Sequence, residues 1–93
     1  MKFEHKEKGW IIEVGELTQD KAEAFSDAIY GLSGPLKRNR LAVQASIDCG
    51  WLKLIEPKLK SDDLATYKDP SFINWVANQI SPVYTEAITI PKN

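Results

Sequence analysis

The chain has 93 residues, of which 12 are Lys or Arg and 13 are Asp or Glu, so its formal charge at pH 7 is −1. This length is that of one domain, and a balanced charge lacks the positive field that non-specific nucleic-acid binding needs. The single cysteine excludes an internal disulfide and a cysteine-rich zinc site. We therefore expect one domain over residues 1–93, with no metal and no cofactor.

The start of the chain, MKFEHKEKGW, lacks the apolar core of a secretory signal. No apolar run approaches the length that crosses a bilayer, and the single cysteine fits a reducing compartment. We therefore expect a cytoplasmic protein without a membrane partner.

Residues 2–14 predict a β-hairpin. Apolar and polar residues alternate from Trp10 to Val14, and Gly9 can take a positive φ at the turn. An isolated two-stranded hairpin is unstable in water, so its apolar face must cover a helix or pair with another strand, in this chain or a neighbouring one. We expect Trp10 to lie in the core.

Two helices are predicted next. The first begins after the N-cap residue Thr18, and its apolar face comprises Ala22, Phe25, Ala28, Ile29 and Leu32. The second covers about residues 36–49, with Gly50 as the left-handed residue that ends it. Cys49 has apolar neighbours and no nearby base, which predicts an inert core thiol.

The only basic cluster is formed by Lys37, Arg38 and Arg40, around Asn39. Such a cluster can contact phosphate or an acidic partner. We favour the simpler interpretation of a solvated first helical turn. The basic charges are nevertheless slightly unfavourable there, because the positive end of the helix dipole is close.

Residues 51–68 predict an extended segment and then a loop. Trp51 to Ile55 is apolar and forms either a strand or an extended strap across the helices. Glu56 to Lys68 is polar, with one helical turn near Ser61. The adjacent carboxylates of Asp62 and Asp63 lack the alternating oxygen ligands of a calcium loop, which favours a capping role.

Asp69 to Ile88 predicts the longest helix, with Asp69 as its cap and Pro70 at its first position. Its apolar residues recur at spacings of three and four, and a narrower seam within them comprises Ile73, Val76, Ile80, Val83 and Ala87. Pro82 either kinks this helix or starts a new one after Ser81; we favour one kinked helix because the stripe keeps its phase. Residues 89–93 are expected to leave it as an extended tail.

The sequence lacks a Gly-rich phosphate loop, paired histidine ligands and a Ser/His/Asp set, so we expect no enzyme. Its pattern predicts an α+β fold, mainly α, with an N-terminal β-hairpin packed on about three helices. Trp75 lies about 100° around the last helix from the seam. It either contacts a partner or covers the hairpin.

A second kind of observation is the arrangement of particular residues from Lys37 onward. They are Arg38-x-Arg40, Ala42-x-x-Ala45, Gly50-Trp51, Glu56-Pro57, Trp75-Val76, the run from Val83 to Ala87, and the ending Thr89-Ile90-Pro91-Lys92-Asn93. In these features residues 37–93 resemble the small tail assembly chaperones encoded in tailed-phage and prophage tail gene clusters. These proteins accompany the tape-measure protein, and the resemblance transfers no catalytic residue.

The resemblance implies a role in virion assembly through protein–protein contact. Such a chaperone holds the long, apolar, helical tape-measure protein soluble in the host cytoplasm until tail-tube subunits polymerise around it. Binding of this kind requires an exposed apolar groove or stripe. The partner-binding residues that we expect are Trp75, Val76, Ile80, Val83, Lys37, Arg38 and Arg40.

Two alternatives remain open. The first is a small nucleic-acid-associated regulator that uses the basic cluster from Lys37 to Arg40, although the near-neutral charge disfavours nucleic acid as a partner. The second is a structural subunit that self-associates as a homo-oligomer through the exposed seam or the hairpin edge.

Overall fold

The structure is a computed structural model that describes residues 1–31 and 34–88, without the side chains of residues 87 and 88. Its elements in chain order are β1 (Lys2–His5), β2 (Trp10–Val14), α1 (Gln19–Ile29), α2 (Pro35–Asp48), β3 (Leu52–Glu56), a 3-10 helix (Ser61–Thr66) and α3 (Pro70–Ile88). The fold is α+β and mainly α, with an N-terminal hairpin, as the sequence pattern predicts.

The sheet confirms the predicted hairpin and extends it. β1 and β2 pair in antiparallel fashion with Phe3 opposite Ile12, and the turn contains Gly9 at φ 70°. β3 pairs with the other side of β2, placing Leu54 opposite Ile12, so the segment after Trp51 is a strand rather than a strap. Because residues on β2 alternate between the two faces, Trp10 is buried in the core, as expected.

α1 begins where the sequence predicts, but its cap and face differ in detail. Thr18 occupies the N-cap without a side-chain bond to the backbone; its hydroxyl instead donates to Asp20 and lowers the pKa of that carboxyl below its ordinary value. Phe25 and Ile29 are buried, whereas Ala28 is exposed. Ala28 precedes Ile29 by one residue and therefore lies about 100° around the helix, beyond the buried face. The predicted face residue Leu32 lies outside the described residues.

α2 packs against both α1 and α3. Ala42 and Ala45 are buried, and their small side chains let a neighbouring helix approach α2 closely. Gly50 has the left-handed φ of 85° that ends the helix. Ser46 is also fully buried, and its hydroxyl donates a hydrogen bond to the Ala42 carbonyl oxygen at 2.7 Å. The expectation of a core thiol was wrong in degree, because Cys49 is only half-buried at the edge of the core.

α3 is a single helix that runs through Pro82, as favoured from the sequence. Its predicted cap is confirmed, since Asp69 Oδ1 accepts a bond from the Ser71 backbone N–H at 3.1 Å. The Ser71 hydroxyl also donates to Asp69 and is the main cause that lowers the pKa of Asp69. The predicted extended tail, residues 89–93, lies outside the described residues.

Candidate functional site

The middle of the α3 seam lies in the core rather than on a partner surface, and the side chain of Ala87, the last seam residue, lies outside the described residues. Val76 and Ile80 are both 0% exposed and belong to the main cluster of buried residues, so the prediction that they contact a partner is corrected. Spacings of three and four indicate that one face of a helix is covered. The covering elements here belong to the same chain, because α3 packs against α2, α1 and β2. Val83 is half-buried against the same cluster.

Trp75 covers the hairpin, which was one of its two predicted alternatives. Its ring centroid lies 5.7 Å from that of His5 and 5.8 Å from that of Trp10. Trp10 in turn makes an edge contact with Phe72 at 5.1 Å. Distances of 4.5–7 Å are typical of favourable aromatic pairs, so this cluster ties α3 to the hairpin. Trp75 is half-buried by these contacts.

The basic cluster borders a concave surface, which we name the α2–α3 groove. The groove lies where α2, the 3-10 helix and the start of α3 meet, and its volume is about 330 Å³. Its lining residues are Leu36, Lys37, Arg40, Leu64, Ala65, Tyr67, Pro70, Ile73 and Asn74. The lining is therefore mainly apolar, with two basic side chains.

The local sequence explains how the groove forms. Pro35 starts α2, so Leu36, Lys37 and Arg40 all lie in its first two turns. Beside the groove, Asn39 Nδ2 donates to Asn74 Oδ1 at 3.1 Å and links α2 to α3. A side-chain hydrogen bond thus links the two helices beside the groove.

Leu36 is the residue that sequence reasoning missed. It is 67% exposed although it is large and apolar, and it lines the groove. A signal for this was present, because the residues three and four positions later are Asn39 and Arg40. The apolar stripe of α2 therefore does not begin at Leu36, which leaves this side chain without apolar helical neighbours.

The electrostatics of the groove favour an acidic group. The first turn of α2 holds no acidic residue, and Gly34 at its N-cap provides no side-chain bond to the free backbone N–H groups. The positive end of the helix dipole therefore adds to the charges of Lys37 and Arg40. Arg38 is exposed on the same helix but does not line the groove.

Outside the groove, the thiol of Cys49 and the carboxylate of Asp63 make local structural contacts. Partial burial, with a contribution from the charge of Asp48, raises the pKa of the Cys49 thiol above its ordinary value. Asp63 accepts a bond from the Lys60 backbone N–H at 2.9 Å and so caps the 3-10 helix. Within residues 1–31 and 34–88, no group of three or more His, Cys, Asp or Glu could hold a metal ion.

In comparisons with known proteins, no family model, curated protein or solved structure matches the chain. Among the described helices, none has the length and apolar character needed to cross a membrane. The α2–α3 groove is thus the feature with the best-defined binding chemistry: an apolar concavity with a positive border.

Proposed function

We propose that the chain is a non-enzymatic assembly chaperone of the phage-tail type, acting in the host cytoplasm. It binds a helical segment of a tape-measure protein in the α2–α3 groove. The observation that carries this proposal is Leu36, which is 67% exposed beside a mainly apolar groove of about 330 Å³. Large apolar side chains that remain in water next to a concavity are typical of protein-binding surfaces.

The groove suits an amphipathic helix. Such a helix presents apolar residues at spacings of three and four, one of which contacts Leu36 and Ile73 in this arrangement. An acidic residue one turn away then lies near Lys37 or Arg40. Ile73 is the first residue of the predicted seam, so only the N-terminal end of that seam takes part in binding.

The size of the groove predicts weak and reversible binding. The groove has nine lining residues, whereas a stable interface has about 20–30 residues on each side. A chaperone of this type must release its client when tail-tube subunits polymerise, so a modest interface is consistent with the role. Several copies along one tape-measure protein would still cover a long apolar helix.

Co-expression with a tape-measure protein encoded in the same gene cluster tests the proposal. We expect the tagged chain to raise the soluble fraction of the tape-measure protein and to retain it at high salt, since apolar contacts do not weaken with ionic strength. Leu36→Ser should abolish retention. Tyr30→Ser is the matched control, because Tyr30 is 88% exposed and does not line the groove.

Three outcomes would contradict the proposal. One is a tape-measure protein that stays insoluble and does not co-purify. Another is equal loss of binding in both variants, which would show that Leu36 has no special role. The third is retention of nucleic acid at low salt only, which would favour the alternative regulator that uses Lys37, Arg38 and Arg40.

A further inference from the structure

A second surface, separate from the α2–α3 groove, is the outer edge of β1. β1 lies at one end of the sheet, whose order is β1-β2-β3. Met1 and Val14 exchange two backbone hydrogen bonds, of 2.8 and 2.7 Å. Because bonding alternates along an antiparallel strand, Phe3 also faces β2, whereas the N–H and C=O groups of Lys2 and Glu4 point outward. No strand within the described residues pairs with them.

The side chains along this edge form two distinct rows. Phe3 stands opposite the fully buried Ile12, so it lies on the core face of the sheet, where it is only half-buried. Met1 follows the same alternation and is 77% exposed. Lys2 and Glu4 are exposed on the opposite face. The edge thus combines an incompletely covered apolar row with a row of two opposite charges.

We propose that two copies of the chain pair through this edge, with their β1 strands antiparallel and in one defined register. Phe3 lies opposite Phe3 of the second copy, and Lys2 lies opposite Glu4 of the second copy. The two sheets then form one continuous six-stranded sheet with the helices of both copies on the same face.

Charge complementarity selects this register. Backbone bonds form only if the outward-facing residues of the two strands stand opposite each other, so Lys2 must meet either Lys2 or Glu4 of the second copy, or Glu4 must meet Glu4. The registers that pair Lys2 with Lys2, or Glu4 with Glu4, set like charges directly opposite each other, which is unfavourable. In the remaining register Lys2 of each copy faces Glu4 of the other, so the two-fold symmetry produces two pairs of opposite charge.

The same register covers the apolar row. Phe3 of each copy forms a non-hydrogen-bonded pair, in which side chains on one face come closest, with Cα atoms about 4.5 Å apart. Met1 comes to lie opposite His5 of the second copy, beside the aromatic cluster around Trp75. Since each strand has only four residues, the dimer should be weak and depend on concentration.

Sedimentation equilibrium of the untagged chain, from micromolar to millimolar concentration, measures this association. The wild type should shift from monomer to dimer. Lys2→Glu places carboxylates opposite each other, and Glu4→Lys places ammonium groups opposite each other, so each variant alone should dimerise roughly tenfold more weakly. An equimolar mixture of the two should recover association, since every facing pair is then Glu against Lys.

The loss of association in both single variants is specific to the proposed register, because only there does each substitution convert a pair of opposite charges into a pair of like charges. Recovery in the mixture then shows that the charged residues of the two β1 strands face each other. A wild type that stays monomeric at millimolar concentration would overturn the proposal, as would dimers that neither variant weakens or a mixture that does not recover. Both residues are exposed, and far-UV circular dichroism with thermal unfolding confirms that each variant is folded. No residue of β1 lines the α2–α3 groove, so this result is independent of tape-measure binding.

Discussion

Truncation of Ile80 distinguishes a core position from an exposed partner surface. Ile80 is 0% exposed in the middle of α3. Ile80→Ala removes three carbons, which at about 0.8 kcal/mol each costs about 2.4 kcal/mol in lost transfer free energy. The cavity left behind adds to this, so we expect a total destabilisation of about 2.5–5 kcal/mol.

This loss is large relative to the stability of so small a domain. At roughly 0.05–0.15 kcal/mol per residue, the whole chain has a free energy of unfolding of about 5–14 kcal/mol. Since 1 kcal/mol shifts the midpoint by about 4–8 °C at this size, Ile80→Ala should lower the thermal midpoint by at least about 10 °C. The variant should still fold at low temperature, which keeps it measurable.

Urea unfolding followed by tryptophan fluorescence gives the free energy directly. Ile80→Ala should lower the urea midpoint at an unchanged slope, as expected when the native state is weakened without a change in the surface exposed on unfolding. Leu36→Ala is the control, because it truncates a similar aliphatic side chain on a helix at a position that is 67% exposed. Its cost should remain within about 0.5 kcal/mol.

The reasoning would be refuted if Ile80→Ala unfolded within about 0.5 kcal/mol of the wild type. Such a result would mean that Ile80 is not packed in the core. Loss of tape-measure binding in the same stable variant would then return the seam of α3 to its original interpretation as a partner surface. A cost for Leu36→Ala as large as that for Ile80→Ala would also contradict the assignment of Leu36 to an exposed surface.

Two other substitutions test local features. Ser46→Ala should change stability by less than about 1 kcal/mol, because the Ala42 carbonyl keeps its helical bond and alanine favours the helix; Ser46→Leu should cost about 1–3 kcal/mol by overpacking. A large cost for the alanine variant would indicate another partner for the hydroxyl. Asp69→Ala should lower the thermal midpoint at neutral pH. Folding lowers the pKa of Asp69, so its stabilisation is present above the ordinary carboxyl range and is lost as pH falls through the lowered value. The gap to wild type should therefore close in acid, and a gap independent of pH would argue against the cap.

Local patterns were sufficient to predict most elements. The alternation from Trp10 to Val14, the proline at position 70 and the glycine at position 50 act through backbone geometry within a few residues, so the structure reproduces them. Less of the site was predictable. The basic residues Lys37 and Arg40 were identified as candidates, but the apolar floor beside them comes from segments more than twenty residues away.

The composition and periodicity of the chain determined that it forms a mainly helical α+β fold with a hairpin, and that one face of α3 is covered. Periodicity is a property of one helix, so it specifies that a face is buried but not which surface buries it. Only the tertiary structure decided that the chain itself covers Val76 and Ile80, while Leu36 remains in water. The reason is that packing of α3 against α2 and the sheet depends on the relative placement of distant segments, which no local spacing encodes.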